Sequence, residues 1–352
     1  MNRPDKTEIT RLLSLTDKAE IAALHRRAYE IKTSTIGKVV HFRGIVEISN
    51  ICTKNCFYCG IRRDNANVQR YQMQRDEIIT ACLWAHEQGY GSVVLQSGER
   101  QDDTFSDFIT SILQEVRQRS GGELGFTLSL GEQSPETYQR WFEAGAHRYL
   151  LRIETSNPDL YRKLHPADHD YQARLDCLKA LKGIGYQTGT GVMIGLPHQE
   201  ISHLADDVIF FIDQDVDMIG MGPFIPHQDT PFADVLPDFK EEAALELALK
   251  MIAVCRILMP DINIASTTAL QALNPTGREM GLLAGGNIIM PNITDVKYRS
   301  AYQLYDGKPC LDENASLCRN CLERRISAIG ETIGYRQWGD SPHFAGRRSK
   351  IH

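Results

Sequence analysis

The sequence predicts an α/β protein folded as a (βα)8 TIM barrel, one domain with a helical extension ahead of its first strand. Three observations predict it. Eight short apolar runs alternate with amphipathic stretches, the pattern of parallel strands joined by helical crossovers. The length, 352 residues, suits one large barrel with insertions. A cysteine-rich loop follows the first strand directly. An open doubly wound sheet is the alternative arrangement of the same elements.

Residues 18–32 form an amphipathic helix, with Ile21, Ala22, Leu24, His25, Ala28 and Tyr29 near one face. It belongs to an extension over 1–38 that covers one end of the fold. The barrel occupies 39–330. Its expected strands are 39–49, 92–96, 124–130, 147–155, 187–196, 218–225, 262–268 and 287–291. Helices are expected over 76–86, 105–116, 171–184, 202–214, 240–258 and 276–283. Another opens at Ser134-Pro135-Glu136, with serine as N-cap and proline in the first turn. Residues 226–238 form a long polar loop, either a lid or a plain connection. The tail, 331–352, is polar, ends basic and reads as peripheral.

Hydrophobic residues make up 42% of the chain, enough for a large core, and the net charge is −6. Such a chain has no general attraction for nucleic acid. No apolar run approaches the ~18 residues of a membrane span, and the N-terminus lacks a signal-peptide core. A cytoplasmic protein is expected. Nine cysteines, several of them clustered, then read as metal ligands rather than disulfides.

Cys52, Cys56 and Cys59 form a C-x3-C-x2-C run with Tyr58 before the last cysteine. Three thiolates this close can hold a four-iron cubane and leave one iron open to a small molecule. A zinc knot pairing Cys56 and Cys59 with Cys318 and Cys321 is the competing reading. It leaves Cys52 and Cys310 unexplained. Cys310, Cys318 and Cys321 form a second group, C-x7-C-x2-C, suited to a second iron–sulfur cluster, to structural zinc, or to no metal. Cys82, Cys177 and Cys255 fall within helical patterns and read as small buried hydrophobes. His86, His147 and His227 lack ligand spacing with the cysteines.

Alternation along the strands predicts a polar lumen. Arg148, Leu150, Arg152 and Glu154 share one face of the fourth strand, and Tyr149, Leu151 and Ile153 the other. Thr127 and Ser129 point inward from the third. Charge on an inward face needs a partner or a ligand. A zwitterionic ligand fits, and so does an internal Arg152–Glu154 salt bridge. Gln96, Ser97 and Gly98 end the second strand. Gly189, Gly191 and Gly195, with Met193, either leave room for a ring or mark bulges. Met218, Thr267, Thr268, Met290, Tyr302 and Tyr305 sit at or beyond the ends of later strands.

The spacing of Cys52, Cys56 and Cys59 resembles the signature of the radical S-adenosylmethionine (SAM) enzymes. Further phrases resemble one branch, the HydE maturases of [FeFe]-hydrogenase: Cys56-Phe-Tyr-Cys-Gly-Ile-Arg-Arg-Asp-Asn65, Leu95-Gln-Ser-Gly-Glu99, Thr127-Leu-Ser-Leu-Gly-Glu132, Arg148-Tyr-Leu-Leu-Arg-Ile-Glu-Thr-Ser-Asn-Pro158, Gly222-Pro-Phe-Ile-Pro-His227, Ser266-Thr-Thr268 and Asn287-Ile-Ile-Met-Pro-Asn292. The resemblance covers about residues 39–325. Biotin synthase and methylornithine synthase are relatives.

The resemblance implies that Cys52, Cys56 and Cys59 bind a [4Fe–4S] cluster whose open iron takes SAM. It implies SAM contacts at Tyr58, Gln96, Ser97, Gly98, Thr127, Ser129, Arg152, Glu154 and Arg174. Arg148, Met218, Thr267, Thr268, Met290, Tyr302 and Tyr305 are implied to line the substrate chamber. It also implies an optional second cluster at Cys310, Cys318 and Cys321. The implied activity is reductive cleavage of SAM to a 5′-deoxyadenosyl radical acting on a cysteine-bound iron carbonyl–cyanide complex. The implied partners are a one-electron donor, such as ferredoxin or flavodoxin, and the other hydrogenase maturases. A radical SAM enzyme acting on an organic substrate, and a non-enzymatic iron–sulfur or zinc scaffold, are the competing functional readings.

Overall fold

The computed structural model describes residues 5–349. The first four residues of the expected extension and the last three of the expected tail lie outside the described residues. Among the described residues, eleven strands carry the architecture: β1 (Val39–Ser49), β2 (Ser92–Ser97), β3 (Gly125–Ser129), β4 (Ala146–Leu150), β5 (Gln187–Thr190), β6 (Met193–Ile194), β7 (Met218–Ile219), β8 (Gly222–Pro223), β9 (Asn263–Ile264), β10 (Ile288–Ile289) and β11 (Thr332–Ile333).

The main sheet runs β10-β1-β2-β3-β4-β5-β7-β9, parallel at each pairing. A bridge between Ala265 and Ile288 joins its two ends. The result is a curled parallel sheet of the (βα)8 kind. β6 and β8 pair separately and extend β5 and β7 toward the C-terminal rim. The step between β5 and β6 falls at Gly191, where a Cβ would lie 2.0 Å from the Gly220 carbonyl oxygen. Close backbone approach explains that glycine. A Cβ at Gly189 would meet Met218. Neither glycine opens space for a ligand.

The helices follow their apolar periodicity. Asp103–Arg119 buries Phe105, Ile109, Ile112, Leu113 and Val116, and Tyr171–Ile184 buries Leu178 and Leu181. Ser134 caps Pro135–Glu143 by accepting from the Thr137 backbone N–H. Tyr149 lies on the helix side of β4, packed edge-on against Tyr138 and Tyr186. The extension forms two helices, Lys6–Leu13 and Lys18–Thr35. They share a core cluster with the helices Ile201–Asp213 and Glu241–Leu258. They cover a flank of the barrel and not its end. Lys32 forms a buried salt bridge with Glu331 at 2.9 Å.

The end of the barrel is closed by the tail instead, so its expected peripheral role is corrected. β11 pairs with the start of β1. Beyond it, the Gly339 carbonyl accepts from Arg43 (3.0 Å) and from Asn263 (2.8 Å). Asp340 accepts from Arg148 at 2.5 Å, and the Trp338 carbonyl accepts from the same guanidinium at 3.0 Å. The backbone N–H of Ser341 donates to Gln187 Oε1. Two buried arginines thus find carbonyl and carboxylate acceptors for part of their donor sets, while Arg43 Nε and Arg148 Nη2 have no partner among the described residues.

The helix Pro342–Arg348 then locks the tail in place. His343 bridges Asp215 (2.7 Å) and Asp261 (3.3 Å), and Arg347 reaches Asp217 at 2.7 Å. The hydrogen bond to Asp261, reinforced by Asp215, raises the His343 pKa to about 9. A raised histidine pKa stabilises the fold fully below its unfolded value, about 6.5, and the contribution fades as pH climbs through the folded value. His343→Gln is therefore expected to cost about 1–2 kcal/mol near pH 6. Its unfolding midpoint is expected to converge on the wild-type value above pH 9. Thermal unfolding of both proteins across that range checks this.

Candidate functional site

The cysteine loop, 50–70, has no regular secondary structure, so its backbone polar groups need other partners. Arg70 supplies several at once. Its guanidinium donates to the carbonyls of Asn50 (2.7 Å), Ile61 (2.8 Å) and Arg62 (2.6 Å), and to those of Arg63 and Asn65. Asn55 Oδ1 accepts from Arg62, and its Nδ2 donates to Asp64. The Asn55 backbone N–H donates to His169 Nε2 at 3.0 Å. Thr53 N–H donates to the Glu99 carbonyl, and Glu99 N–H donates to Cys52 Sγ at 3.3 Å.

Tyr58 turns inward beside the cysteines. Its hydroxyl lies 3.0 Å from His165 Nε2, and His165 Nδ1 lies 2.8 Å from the Tyr161 carbonyl. Burial lowers the His165 pKa to about 3, so the ring is neutral. Nδ1 then carries the proton toward the carbonyl, and Nε2 accepts from Tyr58, a tautomer assigned from this network.

Cys52, Cys56, Tyr58 and Cys59 open on a chamber of about 320 Å³ at the C-terminal ends of the strands, where barrel sites are built. Burial pushes the Cys56 thiol up to about 12 and moves Cys52 and Cys59 in the same direction. Thiols in such surroundings become ligands when a metal displaces the proton. Among the described residues, no three His, Cys, Asp or Glu side chains are gathered around a single-ion site. The pairing of Cys56 and Cys59 with Cys318 and Cys321 around one zinc is not formed. A cubane spaces its thiolates more widely than a single ion does.

Gln96, Ser97, Gly98, Ser129, Arg152, Glu154 and Arg174 line the same chamber. Arg152 Nη2 and Glu154 Oε2 approach to 2.9 Å, so the internal salt bridge forms. Neither atom has an aligned hydrogen bond, and Arg152 Nε is also unpartnered. Glu154 adopts a left-handed φ of 66°, which turns it inward after β4 has ended. Burial raises its pKa. A buried cation and anion with unused hydrogen-bonding capacity suit a ligand carrying both charges. Arg174 is different. It donates to Glu132 Oε1 (2.5 Å) and to the Arg152 carbonyl (3.0 Å), and lies 3.6 Å from Glu99.

The opposite wall holds Thr267, Thr268, Met290, Tyr302 and Tyr305, with Glu47, Arg278, Asn292 and Lys308, which the sequence did not single out. Lys308 donates to Glu47 Oε1 at 2.5 Å and to the Tyr302 carbonyl at 2.8 Å. Tyr302 accepts from Gln96. Arg278 donates to Thr268 Oγ1 at 3.0 Å, while its Nε and Nη1, and Thr267 Oγ1, lack partners. The signal for Glu47 was its inward parity in β1. For Lys308 and Arg278 there was none, since neither lies on a strand.

Three expected site residues do not reach the chamber. Thr127, Arg148 and Met218 sit one layer down. Arg148 donates to Thr127 Oγ1 (3.0 Å) and to the tail, and Arg43 approaches Met218 Sδ at 3.1 Å. Thr127 and Met218 line a small void of about 20 Å³ beneath the chamber. Their assignment to SAM or substrate contact is corrected. Alternation gave the face of Thr127 and Arg148 but not their depth, and Met218 was expected from its place near a strand end and from the resemblance.

Cys310 lies at the edge of the chamber with a left-handed φ of 63°. Its thiol hydrogen bonds Cys318, raising Cys310 and lowering Cys318. Cys321 follows one turn later on the helix Ala315–Ala328. A larger groove, about 910 Å³, lies outside between the helices Asp103–Arg119 and Pro135–Glu143, and none of the cysteines lines it.

The radical SAM superfamily model matches residues 46–211. The [FeFe] hydrogenase maturase subunit HydE of Thermotoga maritima is 45% identical over 344 residues, covering 96% of each chain. The chain belongs to the HydE family of radical SAM enzymes. Among solved structures, methylornithine synthase superposes with a TM-score of 0.78 at 24% identity, covering 94% of each chain. The maturase HydG from Carboxydothermus hydrogenoformans gives 0.79 at 19%, covering 95% of this chain and 76% of that one. These two likenesses establish the fold. Membership in the HydE family brings a [4Fe–4S] cluster and SAM as cofactors.

Gly98 tests how tightly the HydE-type cysteine loop is seated. A Cβ there would lie 2.4 Å from the Ile51 carbonyl oxygen and 2.8 Å from Cys52 Cβ. Gly98→Ala is expected to cost roughly 1–3 kcal/mol and to lower the iron bound per chain after anaerobic reconstitution.

Proposed function

We propose that this enzyme acts in [FeFe]-hydrogenase maturation, on a cysteine-bound iron carbonyl–cyanide complex supplied by a partner maturase, toward the diiron centre. The observation that carries the reading is the chamber. It joins the three cysteines and the Arg152–Glu154 pair at one wall to Arg278, Thr267 and Lys308 at the other. Full-length similarity to the Thermotoga maritima maturase supports it.

Cys52, Cys56 and Cys59 would hold the cluster, leaving its fourth corner toward the chamber. Arg152 would donate to the carboxylate of SAM, and Glu154 would face its cationic groups. Tyr58, Gln96, Ser97, Gly98 and Ser129 would complete that wall. Arg174, committed to two glutamates, acts on SAM through the position of Arg152, whose carbonyl it binds. When bound, the cluster and SAM supply one-electron cleavage to a 5′-deoxyadenosyl radical. The protein's task is to orient the reactants and exclude water. Opposite, the unpartnered donors of Arg278 and Thr267 suit the anionic groups of a cysteine complex. Thr268, Met290, Tyr302 and Tyr305 shape the space around it.

Cys310, Cys318 and Cys321 are proposed to take a second iron–sulfur cluster. A ferredoxin or flavodoxin is proposed as electron donor. No helix among the described residues is long and apolar enough to cross a membrane. Clustered free cysteines of this kind fit a reducing cytoplasm.

Anaerobically reconstituted protein, reduced and given SAM, is expected to form 5′-deoxyadenosine. A strain lacking its hydrogenase maturase of this family is expected to recover hydrogenase activity with this gene. Cleavage of SAM without rescue would favour an organic substrate. Arg152→Gln is expected to weaken SAM binding roughly ten- to a hundredfold, the loss of a charge-assisted hydrogen bond. Equilibrium binding checks that value.

A further inference from the structure

Lys54 stands between Cys52 and Cys56 yet points away from open solvent, with 17% of its side chain exposed. Its ammonium lies 2.8 Å from Glu132 and 3.4 Å from Glu99. Arg174 closes the figure, 2.5 Å from Glu132 and 3.6 Å from Glu99. Two cations and two anions alternate in a ring that joins the cysteine loop to the ends of β2 and β3 and to the helix Tyr171–Ile184. Both carboxylates are almost fully buried. Gly131, with φ of 78°, brings the backbone against Glu99, whose Cγ would lie 2.2 Å from a Cβ there. Lys54, Glu99 and Arg174 line the chamber beside the cysteines, and the Glu99 N–H donates to Cys52 Sγ.

We propose that Lys54 is a positioning residue of the reaction, and that its ring with Glu99, Glu132 and Arg174 sets the local charge at the cluster as well as seating the loop. The proposal rests on Cys52, Cys56 and Cys59 holding a [4Fe–4S] cluster. Bracing alone does not require such an arrangement. Arg70, Asn55 and the Thr53–Glu99 backbone bond already fix the loop from three sides. What the ring adds is a matched set of two basic and two acidic side chains in a low-dielectric wall, where a single uncompensated charge acts strongly on a nearby redox centre. Reduction adds negative charge to the cluster. Removing Lys54's charge leaves the wall net negative and makes reduction harder. Removing one carboxylate leaves it net positive and makes reduction easier.

The test is an EPR-monitored redox titration of reconstituted protein near pH 8.5, where carboxylates ionise freely. Lys54→Gln is expected to move the cluster potential negative. Glu132→Gln, or Glu99→Gln should the first lose iron, is expected to move it positive. The double variant Lys54→Gln/Glu132→Gln is expected to return near wild type, and Lys54→Arg to stay there. With a weak reductant, SAM cleavage should slow in the first variant and quicken in the second. Iron per chain, measured on each sample, confirms that the loop has formed. Unmoved potentials, shifts of the same sign, or a Lys54→Arg shift matching Lys54→Gln would overturn the proposal. A wild-type protein that yields no iron–sulfur signal would overturn the cluster reading beneath it too.

Discussion

A backbone polar group removed from water must find a partner, and the cysteine loop is where that demand is hardest to meet. Between β1 and the helix Arg75–Glu87, some twenty residues run across the mouth of the barrel with no sheet or helix to satisfy them. One guanidinium, that of Arg70, gathers five of the carbonyls. Asn55 acts as a second hub, taking Arg62, Asp64 and His169. The loop is therefore irregular but over-determined. Three thiols held this way can keep a fixed spacing without a metal-like cage of their own, which a cluster with one exposed corner requires.

The barrel interior follows the same rule in two tiers. At the floor, Arg43 and Arg148 are buried, and the chain's own tail returns beneath the strands to accept from both, leaving one nitrogen of each unpartnered. The tail is thus part of the barrel's structure, although nothing in its composition announces that. Above the floor, the walls keep polar atoms whose hydrogen bonds are only partly used: Arg152 and Glu154 on one side, Arg278 and Thr267 on the other. An ordinary barrel would fill this layer with branched apolar side chains. Here polar side chains take that place, and the proposed binding of SAM and substrate rests on them.

Much of this was legible in the sequence because period carries it. The helix Tyr171–Ile184 falls where the apolar spacing placed it, and Val39–Ser49 runs as the first strand. Alternation also put Arg152, Glu154 and Ser129 inward correctly. It also faced Thr127 and Arg148 inward, but parity reports which way a side chain faces and not how far along the barrel axis it lies, so it did not show that they fall below the chamber. Met218 was expected in the chamber from its place near a strand end and from the resemblance, and it too lies below. Register decides the depth: Val94, Thr127 and Arg148 are lateral neighbours in the lower layer, whereas Gln96 and Ser129 pair one step higher. Lys308 came from a loop, where no period exists to read, and Arg278 from the expected helix over 276–283, whose position alone does not say which side chain enters the chamber. Lys54 was hidden by its neighbours, since a lysine between two cysteines looks like solvent-facing charge until Glu99 and Glu132 are seen beside it.

The central claim is that the chain gives a cubane three ligands and leaves the fourth iron for SAM. Electron–nuclear double resonance on the reduced protein with isotopically labelled SAM tests it most directly. The account predicts coupling from the amino nitrogen and carboxylate oxygen of SAM to a single iron, lost in a Cys56→Ser protein that holds no intact cluster. An iron–sulfur signal with no coupling to labelled SAM, or a metal centre of another kind at Cys52, Cys56 and Cys59, would contradict it.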